Sequence, residues 1–297
     1  MPTFSSYMTH DIKEVINRIW GKMYTTVGEL DITAWVTPEP VAFTHRTQGK
    51  KIKLNLGDSW GKNLFDCAWF NFKGKIPGGC KNRKVVALID INGELCIFDK
   101  KGVPVRGLTN ASSVFDRTYG KPLKRIYEIT QKAKGGEAVD IWADAGCNDL
   151  LGMRQHNCKI VNTHLAICNE QTRGLYYDME VLNDLLENLP KDSARYQKIH
   201  RGLRDVCILL KTDSDDEICE ARKILKPLLS MKNSDTSLYF SAIGHAHLDL
   251  AWLWPIRETI RKGARTFATA LDLIGKYSEY IFGASQPQLF MWMKQYY

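Results

Sequence analysis

The sequence has no apolar run approaching the ~20 residues of a membrane-spanning helix, and its start, MPTFSSYMTHDIKEVINRIW, has no basic segment leading into an apolar one of secretory type. Membrane insertion and export are not expected; the chain is expected to be cytoplasmic. Eight cysteines (67, 80, 96, 147, 158, 168, 207 and 219) include no C-x-x-C pair, which argues against a zinc ribbon and gives no sign of a disulfide framework. They are expected to be reduced thiols, mostly buried. Long blocks of one charge are also missing. Lys+Arg 41 against Asp+Glu 33 leaves +8, scattered through KKIK, KNRK and KPLKR, so a solvated surface is expected rather than a nucleic-acid partner. Internal repeats and low-complexity tracts are absent.

What is present is ordinary for folded protein: 297 residues, 44% hydrophobic and 25% charged, enough for two or three domains. The first thirty residues predict an N-terminal packing helix, with Ile12, Val15, Ile16, Ile19 and Met23 at helical spacing behind a capping Thr9. Residues 31–165 change to short β-branched and aromatic segments (ITAWV, KIKLNL, CAWFNFKGKI, VVALIDI, LCIFD, RIYEIT, AVDIWADAG) cut by Gly, Pro, Asn and Asp, the pattern of a β-sandwich or jelly roll. Its Trp35, Trp60, Trp69 and Trp142 are read as core, with sugar stacking as the functional alternative.

Residues 166–236 predict a helical connector. Its faces are Leu182, Leu185, Leu186 and Leu189, then Tyr196, Ile199, Leu203, Val206 and Leu210, then Ile218, Ala221, Leu225 and Leu228; the acidic TDSDDE is a loop before the last of them. From 237 the pattern becomes β-α-β-α, the opening of an α/β domain: a strand over Leu238–Ile243, a helix after Pro255 with Ile260, Ala264, Phe267, Leu271 and Ile274 on its apolar face, a second strand in YIFGAS, and a second helix. So short a run cannot cover both faces of a parallel sheet, and the chain is expected to be the N-terminal part of a longer one. The fold class expected is therefore α+β multidomain, with a β-sandwich-like domain, a helical connector and an incomplete α/β domain.

The stretch GHAHLDLAWLWP, 244–255, leaves the first of these strands. If the extended backbone continues, His245, His247 and Asp249 lie on one side, and imidazole and carboxylate both suit Zn²⁺. Strand ends of α/β sheets are where ligands bind. The spacing alone reaches a metal-dependent hydrolase and leaves the reaction open; Leu250 argues against the H-x-H-x-D-H hydrolases, while amidohydrolase barrels remain.

HAHLDLAWLWPIRET, together with ASQPQLFMWMKQYY and GELCIFDKKGVPVRGLT, resembles the retaining α-mannosidases of glycoside hydrolase family 38, particularly their intracellular bacterial and fungal branch. The order of β-rich domain, helices and α/β domain is similar too. The resemblance implies a zinc-dependent enzyme hydrolysing terminal α-mannosyl residues of oligosaccharides by double displacement. It makes His247 and Asp249 zinc ligands, Trp252 the platform beside the sugar, and His245 a residue supporting the ligands from behind. Arg257 and Glu258 either pin the motif or form a surface ion pair, and Ser285 and Gln286 have a structural or a substrate role. No catalytic residue is assigned within 1–297: the family's nucleophile, acid/base and last zinc histidine are expected farther along, so this chain alone is expected to be inactive. Homo-oligomerisation stays open. The alternatives are an amidohydrolase-like enzyme and a non-catalytic carbohydrate-binding module built on the tryptophans.

Overall fold

A computed structural model describes residues 4–109, 123–152, 158–232 and 238–297. By its contacts the chain divides into two compact units, Met1–Thr25 with Ile167–Tyr239, and Thr26–Ala166 with Phe240–Tyr297.

The first unit is helical: α1 (Phe4–Gly21), α2 (Glu170–Asn188), α3 (Ala194–Leu209) and α4 (Asp215–Leu229). The apolar stripes read from the sequence meet in one core, where Ile12, Ile19, Met23, Leu182, Ile199, Leu203, Val206 and Leu225 are all buried. Each large side chain so buried contributes about 1.5–3 kcal/mol. The starts of α3 and α4 are fixed by polar caps. The Ser193 hydroxyl accepts from Tyr196 N–H, and Ser214 and Glu217 form a capping box. The acidic TDSDDE thus supplies the turn and first residues of α4, where negative charge suits the helix dipole. α1 begins at Phe4, so Thr9 lies inside the helix and is not its cap.

The second unit holds strands β1 (Tyr24–Glu29), β2 (Asp31–Thr37), β3 (Lys50–Leu54), β4 (Cys67–Lys75), β5 (Val85–Asp90), β6 (Glu94–Phe98), β7 (Pro104–Thr109), β8 (Ile126–Thr130), β9 (Ala138–Gly146) and β10 (Asn162–Cys168). They form a six-stranded sheet in the order β3-β2-β4-β9-β6-β7 and a four-stranded sheet in the order β1-β10-β5-β8, a β-sandwich-like arrangement. Register places Ala34, Phe70, Ala143 and Ile97 in one row across the larger sheet, with Ile32, Phe72 and Ile141 beside them on the same face. All are buried, as alternation predicts for a sandwich core.

The other face of that sheet has a different chemistry. One row runs Trp35, Trp69, Asp144, Cys96 and Gly107, and the next pairs Cys67 with Gly146 and Glu94. Trp69 and Trp60 are buried and donate their indole N–H to Val41 O and Ile91 O, both at 2.9 Å, so they serve as core and are closed to sugars. Trp35 and Trp142 are half-buried and stack on each other with centroids 5.2 Å apart.

Two of the eight cysteines depart from the expectation of reduced thiols: Cys147 and Cys158 form a disulfide. Both are buried and only eleven residues apart, and the fold brings them together beside Gly61, which leaves the sulfur of Cys147 its space. Cys67, Cys80, Cys96 and Cys168 are buried outside any disulfide, while Cys219 is exposed and likewise in none. Among the described residues, no helix is long and apolar enough to cross a membrane.

Candidate functional site

The last segment of the second unit runs β11 (Gly244–His245), α5 (Ile256–Lys276), β12 (Phe282–Gly283) and α6 (Pro287–Tyr296), with β11 and β12 parallel. This is the β-α-β-α order expected. The strand expected over Leu238–Ile243 is not formed, however: pairing is confined to Gly244 and His245, because β12 is the sole neighbour among the described strands.

α5 seats on the polar face of the six-stranded sheet, and its buried side is charged. Glu258, Arg261, Lys262 and Arg265 recur at i, i+3, i+4 and i+7, so they share one face, and all four are buried. Arg261 holds Asp144 through two bonds of 2.7 Å and reaches Glu258 at 2.8 Å and the sulfur of Cys67 at 3.3 Å. Lys262 Nζ donates to Glu94 at 2.5 Å, and Arg265 donates to Glu94 at 3.0 Å and to Glu258. Three cations thus meet three carboxylates, with Asn148 donating to Glu94 as well.

Burial alone would raise the Glu258 carboxyl, but Arg265, Arg261 and Lys262 outweigh it and hold the group down at about 2. Burial likewise opposes the charge on Arg261, and Asp144 and Glu258 outweigh it, keeping that guanidinium well above its ordinary value. Burial pushes the Cys67 thiol up to about 11, which leaves it a protonated, unreactive neighbour of the cluster. At the helix's far end Arg106 pairs with Asp272 at 2.5 Å and Gly107 N–H donates to Thr269 at 3.0 Å. A side chain at Gly107 would come within 2.9 Å of Arg265 O, so glycine is what lets the helix lie this close to the strand.

The apolar face expected of α5 is therefore not the one packed on the sheet. Leu271 and Ile274 are exposed, Ile260 and Phe267 half-buried, and Ala264 alone of that row is buried. Glu258 is buried between Arg261 and Arg265 and forms no surface ion pair, whereas Arg257 makes a surface ion pair with Glu39 at 2.9 Å.

The loop between β11 and α5 carries the motif. His247 Nε2 and Asp249 Oδ1 lie 3.2 Å apart, with the His247 side chain largely exposed and Leu248 buried between them. Two ligands held at 2.0–2.1 Å on one tetrahedral ion would be about 3.3–3.4 Å apart, so this imidazole and carboxylate fit as two donors of a zinc set. His245 does not join them; its Nε2 is 3.4 Å from Ser285 Oγ, at the end of β12. Among the described residues no three His, Cys, Asp or Glu side chains are grouped as a complete metal site. Trp252 is 60% exposed on the same loop, open to a ligand's face.

Behind the loop, side chains that sequence reading passed over or left undecided hold the backbone. Thr259 Oγ1 donates to Leu250 O at 2.9 Å and accepts from Trp254 Nε1 at 3.0 Å; Gln286 Nε2 donates to Leu248 O at 2.7 Å. Lys262 lies over the Trp254 ring, 4.8 Å from its centroid. Gly152, at φ +75°, faces the other part of that ring, where a side chain would come within 2.8 Å. The one signal in the sequence for the buried charges was their own helical spacing in ETIRKGAR.

Comparison with known proteins bears on the kind of protein to which this loop belongs. Residues 16–180, more than half of the chain, match the family described as α-mannosidase, jelly roll domain, and residues 237–297 match the glycosyl hydrolases family 38 N-terminal domain. α-Mannosidase 2C1 of Mus musculus is 26% identical over 93% of this chain and 27% of its own length. α-Mannosidase G of Dictyostelium discoideum is 23% identical over 95% of this chain and 26% of its own, and an α-mannosidase of Saccharomyces cerevisiae is 30% identical over 90% and 24%. The chain spans about a quarter of the length of these curated relatives.

Proposed function

Since the chain belongs to the α-mannosidases of glycosyl hydrolase family 38, we propose that it supplies the jelly roll and the first part of the metal and sugar site of a zinc-dependent enzyme that removes terminal α-mannosyl residues from oligosaccharides. The observation that carries this is the His247–Asp249 pair, 3.2 Å apart where the chain leaves a parallel strand, with an exposed tryptophan three residues on.

In this reading His247 Nε2 and Asp249 Oδ1 are zinc ligands, Trp252 presents its ring to the mannose, and His245 with Ser285 supports the floor behind them. Zinc, when bound, supplies positive charge beside the sugar hydroxyls and the charge that develops on the ring. The residues of this chain bind and orient: the indole face excludes water from one side of the sugar, and His247 and Asp249 present their donor atoms to the metal. The mechanism proposed is double displacement with retention, needing a nucleophile and an acid/base carboxylate. Neither role falls to a residue of 1–297, and by itself this chain is expected not to hydrolyse mannosides. Residues 237–297 are proposed as the opening of the catalytic domain, and the compartment as the cytoplasm.

Metal content tests the ligand assignment. In the protein extended to the length of its relatives, zinc per chain after gel filtration is expected to fall from near one to near zero in His247→Ala and Asp249→Ala. Undiminished zinc in both variants would remove these residues from the site.

A further inference from the structure

We propose that Thr259 and Gln286 are positioning residues that clamp Asp249, and that the β-sandwich anchors one jaw of the clamp through Glu94 and Lys262. The proposal deepens the zinc-site reading above and rests on it. Asp249 sits between two backbone carbonyls, and each is held by a side chain from a different element. Leu248 O is held by Gln286, at the start of α6, and Leu250 O by Thr259, in the first turn of α5. With both neighbours fixed, the carboxylate of Asp249 keeps little freedom beyond its own rotamers, which is what a ligand facing His247 at 3.2 Å requires.

The Thr259 jaw is itself immobilised. Thr259 is 0% exposed, its hydroxyl uses its single proton on Leu250 O, and it accepts the indole proton of Trp254. Trp254 is contacted by Lys262, over its ring, and by the left-handed Gly152. Lys262 in turn donates to Glu94 at 2.5 Å and to Asp149 O at 3.0 Å, both in the β-rich part of the unit. A continuous set of polar contacts therefore runs from strand β6 to the residue beside Asp249. Outer groups of this kind typically change metal affinity 10–100-fold when removed.

The test uses the protein extended to the length of its relatives, with zinc affinity read by competition against a chromophoric chelator and amide exchange read over residues 246–254. Thr259→Val keeps the shape and removes the hydroxyl; it is expected to weaken zinc binding about 10–100-fold and to speed exchange in the loop. Thr259→Ser should restore both to near the wild-type level, which a mere packing role would not produce. Gln286→Leu acts from the other jaw, is expected to do the same, and decides the matter if Thr259→Val does not fold. Wild-type affinity and wild-type exchange in Gln286→Leu and in any folded Thr259→Val would overturn the clamp. A wild-type protein that holds no zinc would instead overturn the function proposed above, and loop exchange in the variants would still judge the clamp.

Discussion

Replacing Arg261 by Met puts the buried charge cluster to a quantitative test. Met follows much of the arginine's aliphatic course but removes both bonds to Asp144 and one to Glu258. Glu258 keeps Arg265, whereas Asp144 loses both of the bonds its carboxylate makes to Arg261 while staying 6% exposed. Breaking a buried pair by deleting one partner costs about 3–5 kcal/mol, since the other charge stays desolvated. For a unit of this size that is a drop of roughly 6–20 °C in Tm. Urea unfolding followed by tryptophan emission, with amide exchange of β9 and α5 peptides to locate the loss, measures it. The double variant Asp144→Leu/Arg261→Met replaces the pair by apolar groups and is expected to recover at least half of the loss. If Arg261→Met lost less than about 1 kcal/mol, or if the double variant were worse than the sum of the singles, the cluster would not be the coupled network described here.

The same cluster predicts a pH dependence. The folded carboxyl of Glu258 is depressed from 4.5 to about 2, so its contribution is fully present above the ordinary value and is lost as pH falls through that window towards 2. Urea midpoints should therefore drop more steeply between pH 4.5 and 2 in the wild type than in Glu258→Gln, and parallel curves would contradict this. Alkylation under denaturing, non-reducing conditions should label six of the eight cysteines and leave Cys147 and Cys158 protected until reduction; eight labelled thiols would show the bridge is not formed. Trp252→Ala, at an exposed position, should change stability by no more than about 0.5 kcal/mol while raising KM for an α-mannoside in the extended protein. An unchanged KM would remove Trp252 from the sugar site.

Much of this architecture was legible in the sequence, and the failures have physical causes. The helical stripes around Leu182, Leu203 and Leu225 were readable because apolar burial imposes a 3.6-residue period. Strands β2, β4 and β9 were readable because β-branched and aromatic residues concentrate in them. β7 (PVRGLT) was not, since its Pro and Gly look like a turn; there the glycine serves the close approach of α5. α5 defeated the apolar rule altogether. Its packed face is charged because the sheet beneath it carries Glu94 and Asp144, a match between distant segments that no local pattern reveals. The Cys147–Cys158 bridge has no spacing signature. In the motif, His247 and Asp249 lie 3.2 Å apart although they are not on a strand, while His245 turns to Ser285, because the strand stops at His245 and alternation no longer governs the residues after it. Thr259 carried no signal and Gln286 only an undecided one, as their partners are backbone carbonyls.

The most direct measurement is release of the aryl group from an aryl α-mannoside by the protein extended to the length of its relatives, before chelation, after it, and after Zn²⁺ is returned, with His247→Ala in parallel. The account predicts hydrolysis that vanishes on chelation, returns with Zn²⁺ and is lost in the variant. Hydrolysis indifferent to chelation and to His247→Ala, or none from a folded and metal-loaded protein, would contradict it.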